Sequence, residues 1–370
     1  MLPLMVEVRL ENVTHIYVTE KGLKTVALDD VSITFPSGKI TGVLGPSGCG
    51  KTTMLKIIAG LLRPTKGKVY FDDKDVTDLD PQKRNVAMVF QFPVAYDMSV
   101  YDNIAFPLRI RGVPKDIIHR KVMEIVDILG IDRNILNKNA KGADPGLRQK
   151  IAVARAIVRD ADVLLLDEPL TNLEPLVRIE LKTKLKEITQ KMKITTIYVT
   201  HDQAEVLTLA ERIAVMNIGK IIQYDETTRV YEYPIHEFVG YFIGNPGMNY
   251  IECSLNEEKS VLECKGFEYT LNRNEVEVLV KYGKEFKLGI RPEHIIIDES
   301  KSDKGIKGKI SLVERIGTAF LYHVEIAKET TIIAKTYKQI GLREGDTISI
   351  TLPKDKVRIF DKKTGYRILP

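Results

Sequence analysis

The chain has 370 residues, 44% of them hydrophobic and 28% charged, the ordinary balance of a soluble globular protein long enough for two packed domains. Its 55 basic and 50 acidic residues leave +5 with the signs interspersed, so no basic stripe or tail points to nucleic acid as the main partner. No apolar run approaches the roughly 18 residues that span a bilayer, and Glu7 and Arg9 come too early for a secretory signal, so any service to a membrane is expected to run through a partner.

Residues 6–12 and 31–36 alternate apolar and polar side chains and read as strands, with turns at 20–22 and 36–38. Residues 40–44, ITGVL, read as a buried strand that runs straight into a glycine-rich loop and a helix over 52–60, closed by Gly60 and Pro64. Strand, glycine loop and helix open a parallel α/β domain. Residues 99–160 are rich in helical patterns, notably 116–129 and 146–159, where Leu147, Ile151, Ala154 and Val158 share one face. Residues 163–166 are wholly apolar, as a strand covered on both faces should be, 195–199 read as another such strand, and 212–224 as a short pair. Around Asn245-Pro246-Gly247 the pattern changes to short strands with frequent turns, which predicts a small all-β barrel over 249–370. The expected boundaries are therefore an α/β domain over 1–240, with a helical subdomain near 92–160, and a second domain over 245–370. Cys49, Cys253 and Cys264 form no CxxC pair and lie far from any histidine cluster, so reduced thiols are expected rather than a disulfide or a metal site.

The residues that carry chemistry begin with Gly45-Pro46-Ser47-Gly48-Cys49-Gly50-Lys51-Thr52, which satisfies the phosphate-loop pattern between a strand and a helix. Glycines let backbone N–H groups converge on phosphate oxygens, and the helix N-terminus adds positive potential. In that reading Lys51 bridges phosphate oxygens and the Thr52 hydroxyl binds Mg²⁺, while Cys49 is a tolerated small residue rather than a redox switch. A plain glycine turn is the competing reading. Asp167-Glu168 end an apolar strand, which places both carboxylates at the carboxyl edge of a parallel sheet, where ligands bind. Asp167 is expected to hold Mg²⁺ through water and Glu168 to polarise the attacking water. Gln91 and His201 also end predicted strands, so the four meet only if those strands are neighbours.

Together these segments resemble an ATP-binding-cassette (ABC) ATPase: the 45–52 loop, Gln91 in VFQFP, LLLDEP at 164–169, TNLE at 171–174 and His201 in VTHDQAE, in the family's order. The resemblance implies an α/β P-loop fold, ATP and Mg²⁺, and nucleotide contacts from residues 45–53, Thr53 included. It implies that Glu168 is the catalytic base, that Gln91 senses Mg²⁺ and meets a transmembrane partner, that His201 binds the γ-phosphate and that TNLE faces a second subunit. Tyr17 falls where the family stacks an aromatic ring on adenine, a core tyrosine being the alternative. The 92–113 stretch is implied to form the groove that receives a transmembrane loop.

The family's LSGGQ signature is absent, its place taken by Ala143-Asp144-Pro145-Gly146-Leu147. A carboxylate about 4 Å from a phosphate charge is repelled by several kcal/mol at an effective dielectric near 20, and Pro145 lacks an N–H donor. Helix capping by Asp144 is the harmless alternative. A heterodimer with a partner that carries an intact signature is therefore favoured, a homodimer being the other possibility. GIRPEH at 289–294, LVERIG at 312–317 and KVRIFD at 356–361 are similar to the C-terminal domain of the maltose-importer ATPase subfamily, which implies an OB-fold-like barrel for dimer contacts and regulation. The expected protein is the ATPase subunit of an importer, carbohydrate being favoured over polyamine, iron or another anion, or over a soluble cassette ATPase. Its implied partners are permease subunits, a second ATPase subunit and a solute-binding protein, and its implied place is cytoplasmic, peripheral at the inner face of the cell membrane.

Overall fold

The computed structural model describes residues 5–171, 173–298 and 305–369. The chain divides into two compact units, residues 1–227 and 228–370. The first unit runs through β1 (Val8–Val18), β2 (Lys24–Phe35), β3 (Ile40–Leu44), α1 (Lys51–Ala59), β4 (Lys66–Phe71), β5 (Lys74–Asp75) and β6 (Val86–Val89). Three helices follow, α2 (Val100–Ile110), α3 (Lys115–Leu129) and α4 (Pro145–Ile157). The unit closes with β7 (Val163–Asp167), α5 (Pro175–Met192), β8 (Thr195–Thr200), α6 (Gln203–Leu209), β9 (Arg212–Asn217) and β10 (Lys220–Glu226).

Two sheets are formed, with strand orders β2-β1-β4-β5 and β10-β9-β3-β8-β7-β6. Strands β3, β6, β7 and β8 run parallel to their neighbours in the second sheet, so their carboxyl ends share one edge. Every residue of β3, β7 and β8 is buried, which is what a strand covered on both faces requires. Helix α6 lies so close on β3 that a Cβ at Gly42 would stand 2.1 Å from Val206, so glycine is needed there for contact rather than for a turn. Leu10, Phe35, Met54, Ile57, Leu165 and Val199 belong to the core that joins both sheets to α1. No helix among the described residues is long and apolar enough to cross a membrane.

The second unit is mainly strands: β11 (Asn249–Asn256), β12 (Val261–Cys264), β13 (Phe267–Thr270), β14 (Glu285–Ile290), β15 (Ile296–Asp298) and β16 (Ile306–Ile316), then β17 (Ala319–Ala327), β18 (Thr330–Thr336), β19 (Thr347–Thr351), β20 (Arg358–Asp361) and β21 (Arg367–Leu369). They form sheets of order β13-β12-β11-β14-β20-β21 and β15-β19-β16-β17-β18, closed over Ile251, Phe286, Ile310, Tyr322 and Ile350. Arg291 is 1% exposed, and its guanidinium donates to the carbonyls of Tyr231 and Ile243 while lying 3.7 Å from the Tyr231 ring centroid. A buried cation is tolerable only when its donors are so satisfied.

The reduced thiols expected at Cys253 and Cys264 are not found. The two form a disulfide, because β11 and β12 form a hairpin that sets them opposite each other. Their Cα atoms are 4.2 Å apart although 11 residues separate them in sequence. Only Cys49 remains free among the described cysteines.

Candidate active site

The shared edge of β3, β8, β7 and β6 collects one loop from each strand, and those loops carry the side chains singled out from the sequence. After β3 the chain turns through Gly48 and Gly50, at φ 79° and 108°, into α1. A Cβ on Gly45 would meet the Met216 carbonyl at 2.4 Å and one on Gly50 the Ala27 carbonyl at 2.3 Å, so backbone approach fixes both. Ser47 and Gly48 form the exposed crest. Lys51 is buried, and its ammonium donates to the carbonyls of Gly45 at 2.8 Å and Pro46 at 2.9 Å, bending back over its own loop. Burial pushes the Cys49 thiol up in pKa, against the smaller opposing charge of Lys51, and so keeps it protonated.

Thr52, in the first turn of α1, donates from its hydroxyl to Asp167 Oδ1 at 3.0 Å. Asp167 is the last residue of β7 and is buried; loss of water raises its pKa, partly offset by the Thr52 hydrogen bond and reinforced by the charge of Glu168. Glu168 leaves the strand in a left-handed conformation, φ 46°, while its N–H donates to the Val199 carbonyl of β8 at 2.8 Å. Its carboxylate is held from three sides. Gln91 Nε2, just beyond β6, donates to Oε2 at 2.9 Å, and the Thr171 hydroxyl donates to the same oxygen at 3.3 Å. His201 Nδ1, just beyond β8, lies 3.2 Å from Oε1. The strands are thus neighbours, and Gln91, Asp167, Glu168 and His201 converge beside Lys51 and Thr52.

Tyr17 is not a core tyrosine, being 40% exposed; its hydroxyl lies 3.3 Å from Thr53 Oγ1 on α1. The Thr171 contact with Glu168 adds a residue to the site beyond those the sequence predicts, since TNLE is expected there only to face a second subunit; the spacing of three from Glu168 is the one signal for it. Asn172 of that segment lies outside the described residues. A cavity of about 220 Å³ opens beside Gln91, lined in part by Phe92, Arg148, Gln149, Thr171 and Leu173. At the head of α4, Asp144 is an N-cap whose Oδ1 accepts from Leu147 N–H at 2.9 Å, and Pro145 takes the first helical position, where its missing N–H costs nothing.

Residues 28–171 match the ABC transporter family, residues 244–295 the MalK OB fold domain and residues 288–360 the TOBE domain. The oligosaccharides import ATP-binding protein MsmX of Bacillus subtilis is 38% identical, the alignment covering 98% of this chain and all of that protein. The chain belongs to the ABC-transporter ATPase family. The trehalose/maltose import ATP-binding protein MalK of Thermococcus litoralis is 37% identical to this ATPase over 93% of the chain and 96% of its own length. A dimeric ATP-binding cassette in a post-hydrolysis state, bound to ADP and Pi, is 26% identical and superposes with a TM-score of 0.55, covering 60% of this ATPase and 98% of its own chain. The protein is therefore a nucleotide-binding, ATP-hydrolysing importer subunit whose P-loop unit is followed by an OB-type β domain.

Proposed function

We propose that this ATPase drives carbohydrate uptake, hydrolysing ATP at the sheet edge where Lys51, Thr52, Asp167 and Glu168 meet. The observation that carries the reading is the Thr52–Asp167 contact at 3.0 Å with Glu168 next in line, since it joins the phosphate loop to the carboxylate pair across the intervening strand β8. In this assignment the 45–53 backbone cradles the phosphates and Lys51 exchanges its loop carbonyls for phosphate oxygens. Thr52, Asp167 and Gln91 are oxygen-bearing side chains of the kind Mg²⁺ takes alongside substrate phosphates, so the donor set fits that ion. Bound there, Mg²⁺ supplies charge compensation for phosphoryl transfer. Glu168 accepts the proton of the attacking water, His201 donates to the γ-phosphate, and Tyr17 offers its exposed face to adenine.

That MsmX serves oligosaccharide import and MalK trehalose/maltose import supports an oligosaccharide or disaccharide as the transported solute. The assembly we infer has permease subunits, a solute-binding protein and a second ATPase subunit, with this chain peripheral at the cytoplasmic face of the membrane. The exposed Phe92 and Val94, at 70% and 64% exposure beside the Gln91 cavity, support docking of a permease loop there. The Asp144 carboxylate at the signature position supports a heterodimer in which the partner supplies an intact signature. Co-purification with its permeases, followed by ATPase assays with the solute-binding protein loaded with maltodextrin, tests the reading. Stimulation by maltodextrin is expected; stimulation by a polyamine-loaded binding protein instead would reassign the solute.

A further inference from the structure

His15 is not among the side chains that meet at the phosphate loop, yet its ring packs directly against that of Tyr17. Strand β1 departs from regular pairing with β2 on both sides of His15, between Val13 and His15 and again between His15 and Ile16. Irregularities of this kind re-aim side chains near functional sites. His15 and Tyr17 stand two residues apart on the strand, and their rings meet edge-to-face with centroids 4.6 Å apart at 81°. His15 is only 9% exposed, so the contact is shielded from water on its side, whereas the outer part of Tyr17 is open. The imidazole is itself anchored: Nδ1 lies 3.1 Å from the Arg63 carbonyl, which can only accept, so Nδ1 carries the proton and the ring plane is set by the loop after α1. The neighbouring Ile16 N–H donates to Thr65 Oγ1 at 3.0 Å, a second tie between β1 and that loop. Tyr17 is thus held at two points, by the His15 ring and by Thr53 on the helix that follows the phosphate loop.

We propose that His15 is a positioning residue for nucleotide binding: it braces Tyr17 at the angle and height that let the phenol ring stack on the purine while the phosphates lie on the 45–53 loop. This rests on the reading of Tyr17 as the base platform. A tyrosine free to swing about its side-chain torsions must be ordered when the base binds, whereas a braced one is already in place. The brace therefore acts on affinity for ligands that carry a base and is silent toward those that do not.

The test compares dissociation constants for Mg-ATP and for magnesium tripolyphosphate, which has the phosphates but no base, in the full chain and in His15→Ala, His15→Phe and Tyr17→Ala. Loss of one aromatic pair predicts about three- to tenfold weaker Mg-ATP binding in His15→Ala, with tripolyphosphate affinity unchanged. His15→Phe restores the ring contact and recovers most of the loss, and in His15→Ala the KM for ATP rises while kcat, reached at saturating ATP, is unchanged. Equal weakening toward both ligands in His15→Ala assigns the residue to the fold and overturns the proposal, as does no change toward either. Tyr17→Ala separates the two layers: if it weakens Mg-ATP binding while His15→Ala does not, the brace fails and the platform stands; if Tyr17→Ala binds Mg-ATP normally, the platform fails and the brace with it.

Discussion

Glu168 pays for its place in backbone strain. A non-glycine residue at φ 46° costs on the order of 1 kcal/mol or more, and the surrounding contacts from Val199, Gln91, Thr171 and His201 hold it there. If the carboxylate is the base, Glu168→Gln keeps the shape and loses the proton acceptor; single-turnover hydrolysis should fall by at least about 100-fold while Mg-ATP affinity stays within about twofold. Undiminished hydrolysis in that variant would remove Glu168 from the chemistry. Asp167 gives a pH-dependent counterpart. Burial raises its folded pKa, so the folded state binds its proton more tightly than the unfolded chain does, and stability is lost as pH rises through the folded value. Asp167→Asn should therefore melt at a higher temperature than the parent at pH 7.5, and the gap should close as pH falls through the raised folded value toward the ordinary carboxylate value near about 4. Melting curves over pH 4–8 without nucleotide check this; a gap that widens toward acid would show that the carboxylate stabilises the fold.

At the scale of elements, α4 decides what the altered signature means. Asp144 closes the helix by accepting from Leu147 N–H, the bond a serine in the same place makes, so local structure tolerates the exchange and only the charge is new. Asp144→Ala should cost about 1 kcal/mol of stability through the lost cap. Asp144→Ser should leave stability nearly unchanged and, in a Glu168→Gln background with ATP, increase homodimer formation measured by light scattering. A dimer already saturated with Asp144 in place would rule out the charge as a barrier. The same elements show what the sequence could tell. Strand β3, its loop, α1 and β7 were legible because each couples an apolar run to a motif with fixed neighbours. Helix α5 was not, since of its 18 residues only Leu181, Leu185, Ile188 and Thr189 are buried, too thin a stripe to announce itself. Strand β4 alternates around glycine and lysines, KGKVYF, with only Val69 and Phe71 buried. The meeting of Gln91, Glu168 and His201 depended on strand order, which no local pattern contains, and the cysteine pair depended on hairpin register in the same way.

At the scale of the whole molecule, the two units have separate apolar cores, one around Leu10, Met54 and Leu165 and the other around Phe286, Tyr322 and Ile350. Separate cores permit separate unfolding, and two perturbations address them one at a time. Nucleotide binds the folded first unit alone, so at about 100 times its dissociation constant Mg-ATP should add about 2.7 kcal/mol to that unit and raise only its calorimetric transition. The Cys253–Cys264 bond closes a short loop inside the second unit, and loops of this size are worth about 2–3 kcal/mol through restriction of the unfolded chain. Reduction, or Cys264→Ser, should therefore lower the transition that Mg-ATP leaves in place and spare the one it raises. Differential scanning calorimetry with four samples, with and without Mg-ATP and with and without reductant, separates the cases. Independent shifts mean two thermodynamic units. A single transition that responds to both treatments would mean that the cores unfold as one and that a bond in the β domain is felt at the nucleotide edge.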